Sequence, residues 1–163
     1  MADRSTPEAL IATYLDAFHA GDWSTCADLM DADALQHFRD GVVTFASQAK
    51  TDDELATLVG PNLDKATLRA LAPRDLFVRY MTFQAGGILA EPRPLITYRV
   101  LGTLPEDTMA HVVVKVRTVI EEQDILQMTV YSTRREGDQW RMLLKGRKTT
   151  EDADVQALIE ARA

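Results

Sequence analysis

Apolar residues in the first half of the chain recur every three to four positions, and after Pro94 they alternate, so the patterning changes from helical to extended. Leu10, Ile11, Tyr14, Leu15 and Phe18 mark one face of a first helix, opened by the capping box Ser5-Thr-Pro-Glu8 with Pro7 in its first turn. Gly21 suits the left-handed position that ends a helix. Asp22 then caps a second one, whose apolar side is Trp23, Cys26, Ala27 and Met30. Over 33–50 the residues Leu35, Phe38, Val42, Phe45 and Ala49 keep a helical period. Thr51-Asp-Asp-Glu54 forms a further capping box for a short helix that Gly60-Pro61 stops. Another short helix is expected over 63–71. Pro73 starts a longer one through Leu76, Phe77, Tyr80, Met81 and Phe83, ending at Gly86-Gly87.

Four strands follow, over 95–104, 109–120, 125–135 and 139–145, joined by turn-prone connections short enough for an antiparallel meander. Alternate positions predict a helix-facing set of Ile96, Tyr98 and Val100, then Val112, Val114, Val116 and Thr118. Leu126, Met128, Val130 and Ser132 continue it, with Trp140, Met142 and Leu144 on the last strand. The opposite face reads Thr97, Arg99, Leu101, His111, Val113, Lys115 and Arg117, then Gln127, Thr129, Tyr131, Thr133, Arg141, Leu143 and Lys145. A capped helix over 150–162, with Val155, Leu158 and Ile159 as contacts, closes the chain. The expected fold is α+β in one domain, 1–163: a helical N-terminal layer (1–87) packed on a curved C-terminal four-stranded antiparallel meander (95–145).

Length adds that a core can form without metal or disulfide staples, since 163 residues bury about two-thirds of the unfolded surface. The lone Cys26 has no partner within the chain, and no basic segment leads into an apolar run. A reducing cytoplasm, with no membrane span, is therefore expected. The net charge of −7 is unevenly spread, because residues 1–72 hold 12 of the 25 acids and only 5 of the 18 bases. Overall acidity argues against nonspecific nucleic-acid binding, which needs a basic footprint.

The segment Tyr14-Leu-Asp-Ala-Phe-His-Ala-Gly-Asp22-Trp23, set ahead of a block of strands, resembles the opening of the nuclear transport factor 2-like superfamily of cystatin-like α+β cones. That resemblance implies helices closing over a sheet, a cleft between them, and a homodimer formed sheet to sheet. The same segment resembles the first helix of ketosteroid isomerases, within that superfamily. It implies that Tyr14 stands at their oxyanion-binding tyrosine and that their base position falls near Phe38, with Asp40 close by. Where their protonated acid would stand, this chain offers Gln127, Thr129, Tyr131 or Ser132.

The expected helix-facing sheet residues include no Asp, Glu, His, Lys or Arg, so any general base must come from the helices. Tyr14, Phe18, Phe38, Tyr80, Tyr98 and Met128 are the candidate ligand pocket, for a small apolar ligand or a protein partner bound without catalysis. The alternative is an isomerase or dehydratase acting on an apolar carbonyl substrate, with Tyr14 as donor and Asp40 or His37 as base. Arg99, Lys115, Arg117, Tyr131, Arg141 and Lys145 make the other face mixed and basic, suited to a subunit interface or to anions. No spacing of His and carboxylates suggests a metal, and no Gly-rich strand-to-helix turn suggests a nucleotide cofactor.

Overall fold

The computed structural model describes residues 3–61, 63–88, 95–120 and 123–143. The expected helix over 150–162, together with Leu144 and Lys145, lies outside the described residues. Among them, helices α1 (Pro7–Ala20), α2 (Trp23–Leu29), α3 (Ala32–Ser47), α4 (Asp52–Val59), α5 (Lys65–Ala70) and α6 (Pro73–Ile88) precede four strands. These are β1 (Leu95–Glu106), β2 (Met109–Ile120), β3 (Gln123–Glu136) and β4 (Gln139–Met142), in the spatial order β1-β2-β3-β4 with antiparallel neighbours. The fold is α+β, helices N-terminal and sheet C-terminal.

Local chemistry sets the helix ends. Thr6, not Ser5, is the N-cap of α1, its hydroxyl accepting from Ala9 N at 3.1 Å, while Ser5 donates its own hydroxyl to Asp3. Pro7 forces that choice, because a Pro fits the first helical position and the cap must precede it. Gly21 takes φ 71° and its N–H reaches back to the α1 carbonyls of Ala17 and Phe18. Asp22 immediately caps α2 by accepting from Thr25 N at 3.0 Å. Two helices thus meet across Gly21 and Asp22 alone, so α2 turns back onto α1 and buries Trp23, Cys26, Ala27 and Leu29.

Two apolar clusters divide the molecule. The first joins Leu10, Ile11, Leu15, Cys26, Leu29 and Phe77 to the sheet residues Val112, Val114 and Met142. The second lies within the helical half, where Val42, Ala46, Leu55, Val59, Leu63, Leu68 and Leu76 hold α3, α4, α5 and α6 together. Phe45 departs from the expected buried stripe of α3 and is 46 % exposed, because Val42, Ala46 and Ala49 face the cluster instead. The β4 edge is clasped by the segment before α1 and the segment after α2. Asp31 N donates to Met142 O at 2.8 Å, and Trp140 N donates to Arg4 O at 3.0 Å.

The sheet corrects the expected facing of β3. Ile120 pairs with Gln123 across a two-residue connection, so even-numbered β2 positions meet odd-numbered β3 positions. Val112 stands opposite Tyr131, Val114 opposite Thr129 and Val116 opposite Gln127, which turns those three β3 residues toward the helices. Met128 and Val130 instead join Leu101, Leu104 and Val113 in a small cluster on the outer face, and Leu126 and Ser132 share that face. Both parities of β3 carry apolar and polar residues, so composition could not choose between them; the connection did. In β1 the register shifts between Val100 and Gly102, and this bulge reverses the facing of the residues beyond it, so Leu104 joins Leu101 in the outer cluster.

Candidate functional site

A cleft of about 380 Å³ opens between α1 and the sheet. Helix α1 contributes Tyr14, Leu15, Phe18 and His19, the first three from its buried stripe and His19 from the last turn. The sheet supplies Ile96, Val116, Thr118, Gln127, Thr129 and Tyr131, and Met142 and Leu143 close the β4 end. Its volume lies in the lower part of the range of about 300–1,000 Å³ common for small-molecule sites. Among the described residues its lining holds no carboxylate, Lys or Arg.

Burial sets the chemistry of the titratable groups. The Tyr14 ring lies 6.0 Å from Phe18 and 6.3 Å from Tyr131, and burial, with minor help from Cys26 and Tyr131, raises its phenol far above the ordinary value. Burial likewise raises Tyr131. Both phenols therefore keep their protons at neutral pH. His19 is held below its ordinary value by burial, which outweighs the nearby Asp16 carboxylate. Among the described residues that line the cleft, this neutral imidazole is the one group able to take a proton near neutrality. Tyr98 Oη donates to Asp16 Oδ1 at 2.8 Å, tying β1 to α1. Beneath α1, Cys26 is fully buried and its thiol is pushed up to about 12, by burial first and Asp22 second.

The residues expected to act together are dispersed. Tyr14 and Phe18 line the cleft, whereas Tyr98 does not, although its ring lies 6.0 Å from that of His19, which does. Phe38 and Tyr80 pack on each other between α3 and α6, with Phe77 against Phe38 at 5.1 Å, and they line no part of the cleft. Met128 lies on the outer sheet face, for the register reason given above. Asp40 is exposed on α3, where it accepts from Gln36 Nε2 at 2.8 Å and pairs with Arg39; His37 is exposed on the same helix. Neither lines the cleft that holds Tyr14.

On the outer face Arg99 stands directly opposite Lys115, and Arg117 forms a two-bond ion pair with Asp124 at 2.9 and 2.7 Å. Tyr131 does not belong to that face but to the cleft. Arg141 turns to the sheet edge, donating to Glu136 at 2.8 Å and to the α2 carbonyl of Asp28 at 2.7 Å. His111 bridges Ser132 Oγ at 3.0 Å and Glu106 Oε2 at 2.7 Å. The trio has the composition of a hydrolase relay, but Ser132 is 4 % exposed within the central β2–β3 ladder and lines no described cavity, so it ties strands together.

Sequence reasoning did not bring His19 to the cleft, and its facing of β3 put Gln127 and Thr129 on the outer side of the sheet. The signal that could have found the last two is the even number of residues in the β2–β3 connection, which fixes the parity of the partner strand. Among the described residues no group of three or more His, Cys, Asp or Glu is placed to hold a metal ion, and no helix is long and apolar enough to cross a membrane.

No family model matches this chain, and no curated protein matches it. Two solved structures share part of its shape. One is a SEC-C motif containing protein from Rhodopseudomonas palustris, at 13 % identity and TM-score 0.44, covering 85 % of this chain and 76 % of that one. The other is described as a calcium/calmodulin-dependent protein kinase type II association domain from Thiobacillus denitrificans, at 18 % identity and TM-score 0.43, covering 86 % and 91 %. Likeness at this level transfers no property of either protein.

Proposed function

We propose that this chain is a nuclear transport factor 2-like domain that binds a small, neutral, largely apolar ligand in the α1–sheet cleft, without catalysing its conversion. The observation that carries this reading is the lining itself: aliphatic and aromatic walls, two phenols that keep their protons, and no charged side chain among the described residues. Such walls favour an uncharged guest, since a buried ion without a partner is costly. The isomerase reading requires a base beside Tyr14, and Asp40 and His37 lie elsewhere. His19 is the group left to supply one.

Native mass spectrometry of gently purified protein, with Thr118→Phe as a cleft-filling variant, tests the reading. Wild type carries an added small mass, or takes up a neutral naphthalene dye, and Thr118→Phe does neither while keeping its fold. Wild-type protein that binds nothing refutes it. So does robust turnover of an apolar carbonyl compound that vanishes in His19→Gln.

A second reading concerns the outer face, where Leu95 and Leu126 are 65 % and 55 % exposed beside Arg99, Lys115 and Arg117. Exposed aliphatics flanked by Arg suit an interface, and the same patch used twice would form a homodimer. The directly opposed Arg99 and Lys115 set a cost on that contact, so its formation is favoured by salt.

A further inference from the structure

The register of β3 places three polar side chains in a row along the cleft floor. Gln127, Thr129 and Tyr131 occupy alternate positions of one strand, facing the helices, so neighbouring rungs stand about 7 Å apart. Thr118, from β2, lies beside this row, and Tyr14 faces it from α1. The opposite wall is apolar, made by Leu15, Phe18 and Ile96. Within the described residues, the side-chain polar groups of Tyr14, Thr118, Gln127 and Thr129 have no hydrogen-bond partner, although each lines the cleft. A pocket built only to exclude water would not carry four such groups, because each costs free energy when an apolar guest covers it unpaired.

We infer that the cleft selects a flat, uncharged ligand with one apolar edge and one edge bearing at least two hydroxyl, carbonyl or amide groups, spaced to meet neighbouring rungs of the Gln127–Thr129–Tyr131 row. This rests on the cleft being a binding site, as proposed above. The chemistry of the row sets the class. Gln127 offers both a donor and an acceptor, the threonine hydroxyls offer both, and Tyr14 offers a strong neutral donor. None of them neutralises a charge, so a carboxylate, sulfonate or ammonium on the same skeleton is rejected. The ligand's apolar edge lies against Phe18 and Leu15, and its polar edge against β3. Thr129 is the specificity-determining residue, since it occupies the middle rung and changing it alters one hydrogen bond at constant shape.

The test is a methyl chemical-shift titration of the full chain, read at Leu15, Ile96 and Val116, with three rigid probes on one skeleton: 2,6-dihydroxynaphthalene, 2,6-dimethylnaphthalene and naphthalene-2,6-disulfonate. Thr129→Val and Gln127→Leu are titrated beside wild type, and each variant's fold is checked by its amide spectrum. The expected result is that the diol binds, the disulfonate does not, and Thr129→Val weakens the diol by about tenfold while leaving the dimethyl compound unchanged or tighter. Equal affinity for diol and dimethyl compound, or a diol affinity unmoved in both variants, overturns the selective row while leaving an apolar cleft standing. No shift at those methyls with any probe overturns the cleft reading itself. Tight binding of the disulfonate overturns the exclusion of charge. Should Gln127→Leu lose its fold, Thr129→Val still decides, since Thr and Val are both β-branched and of one shape.

Discussion

Tyr98 ties β1 to α1 through its phenol, which donates to the Asp16 carboxylate at 2.8 Å and reaches Ala12 O at 3.3 Å, and the loss of these bonds is measurable in two ways. Tyr98→Phe should cost about 1–2 kcal/mol in urea unfolding at neutral pH, as expected for a partly exposed bond to a charged acceptor. The alkaline limb gives the second. Burial first, then Asp16, pushes the phenol up to about 12, so the folded chain holds that proton more tightly than the unfolded chain. Its contribution is complete below about pH 10 and is lost as pH rises toward 12, with Tyr14 acting in the same direction. Urea midpoints followed across that window should fall in wild type and fall less steeply in Tyr98→Phe; parallel curves would refute the assignment. Cys26, fully buried and with a thiol pushed up to about 12, should react with thiol reagents at pH 8 only through unfolding, giving rates that track denaturant. Rapid labelling of the native protein would place it elsewhere. Tyr14 and Phe18 were legible as cleft-lining residues because a helical stripe declares its buried face. His19 was not, since a lone histidine at a helix end has no periodic signature.

Among the elements, α4 depends on one backbone position. Gly60 ends the helix at φ 97°, and a Cβ built there would lie 3.0 Å from the Phe83 ring of α6. Gly60→Ala meets both a conformational penalty and a steric one, so it should destabilise by more than about 1 kcal/mol in thermal or urea unfolding, with α4 exchanging its amides fastest. A neutral substitution would show that α4 and α6 separate easily. Every strand and helix that falls within the described residues was foreseen from its period and its caps, to within a few residues at the ends. What escaped was the side of the sheet to which β3 turns its residues. Leu126, Met128 and Val130 look like a buried set because they are apolar, yet backbone pairing obeys the count of residues in the turn and not the preference of the side chains. Met128 and Tyr131 changed faces for that reason alone.

For the whole molecule, the division of charge between halves has a testable consequence at the outer sheet face. Leu126→Lys adds a cation beside Arg117 and removes an exposed aliphatic, so it should convert any dimer to monomer in light scattering at every salt concentration. Lys115→Glu should act in the opposite sense, relieving the Arg99–Lys115 opposition and removing the salt requirement for association. A monomer in all three proteins would retire the dimer. The two-residue link between Ile120 and Gln123 reaches further than any of these positions. Inserting or deleting one residue there would turn the other edge of β3 inward, replacing a polar row with Leu126, Met128, Val130 and Ser132 while leaving α1 untouched. The strand thus stores two alternative linings, and a single-codon length change, not a series of substitutions, is the short route by which a descendant of this chain would change the chemistry of its cleft.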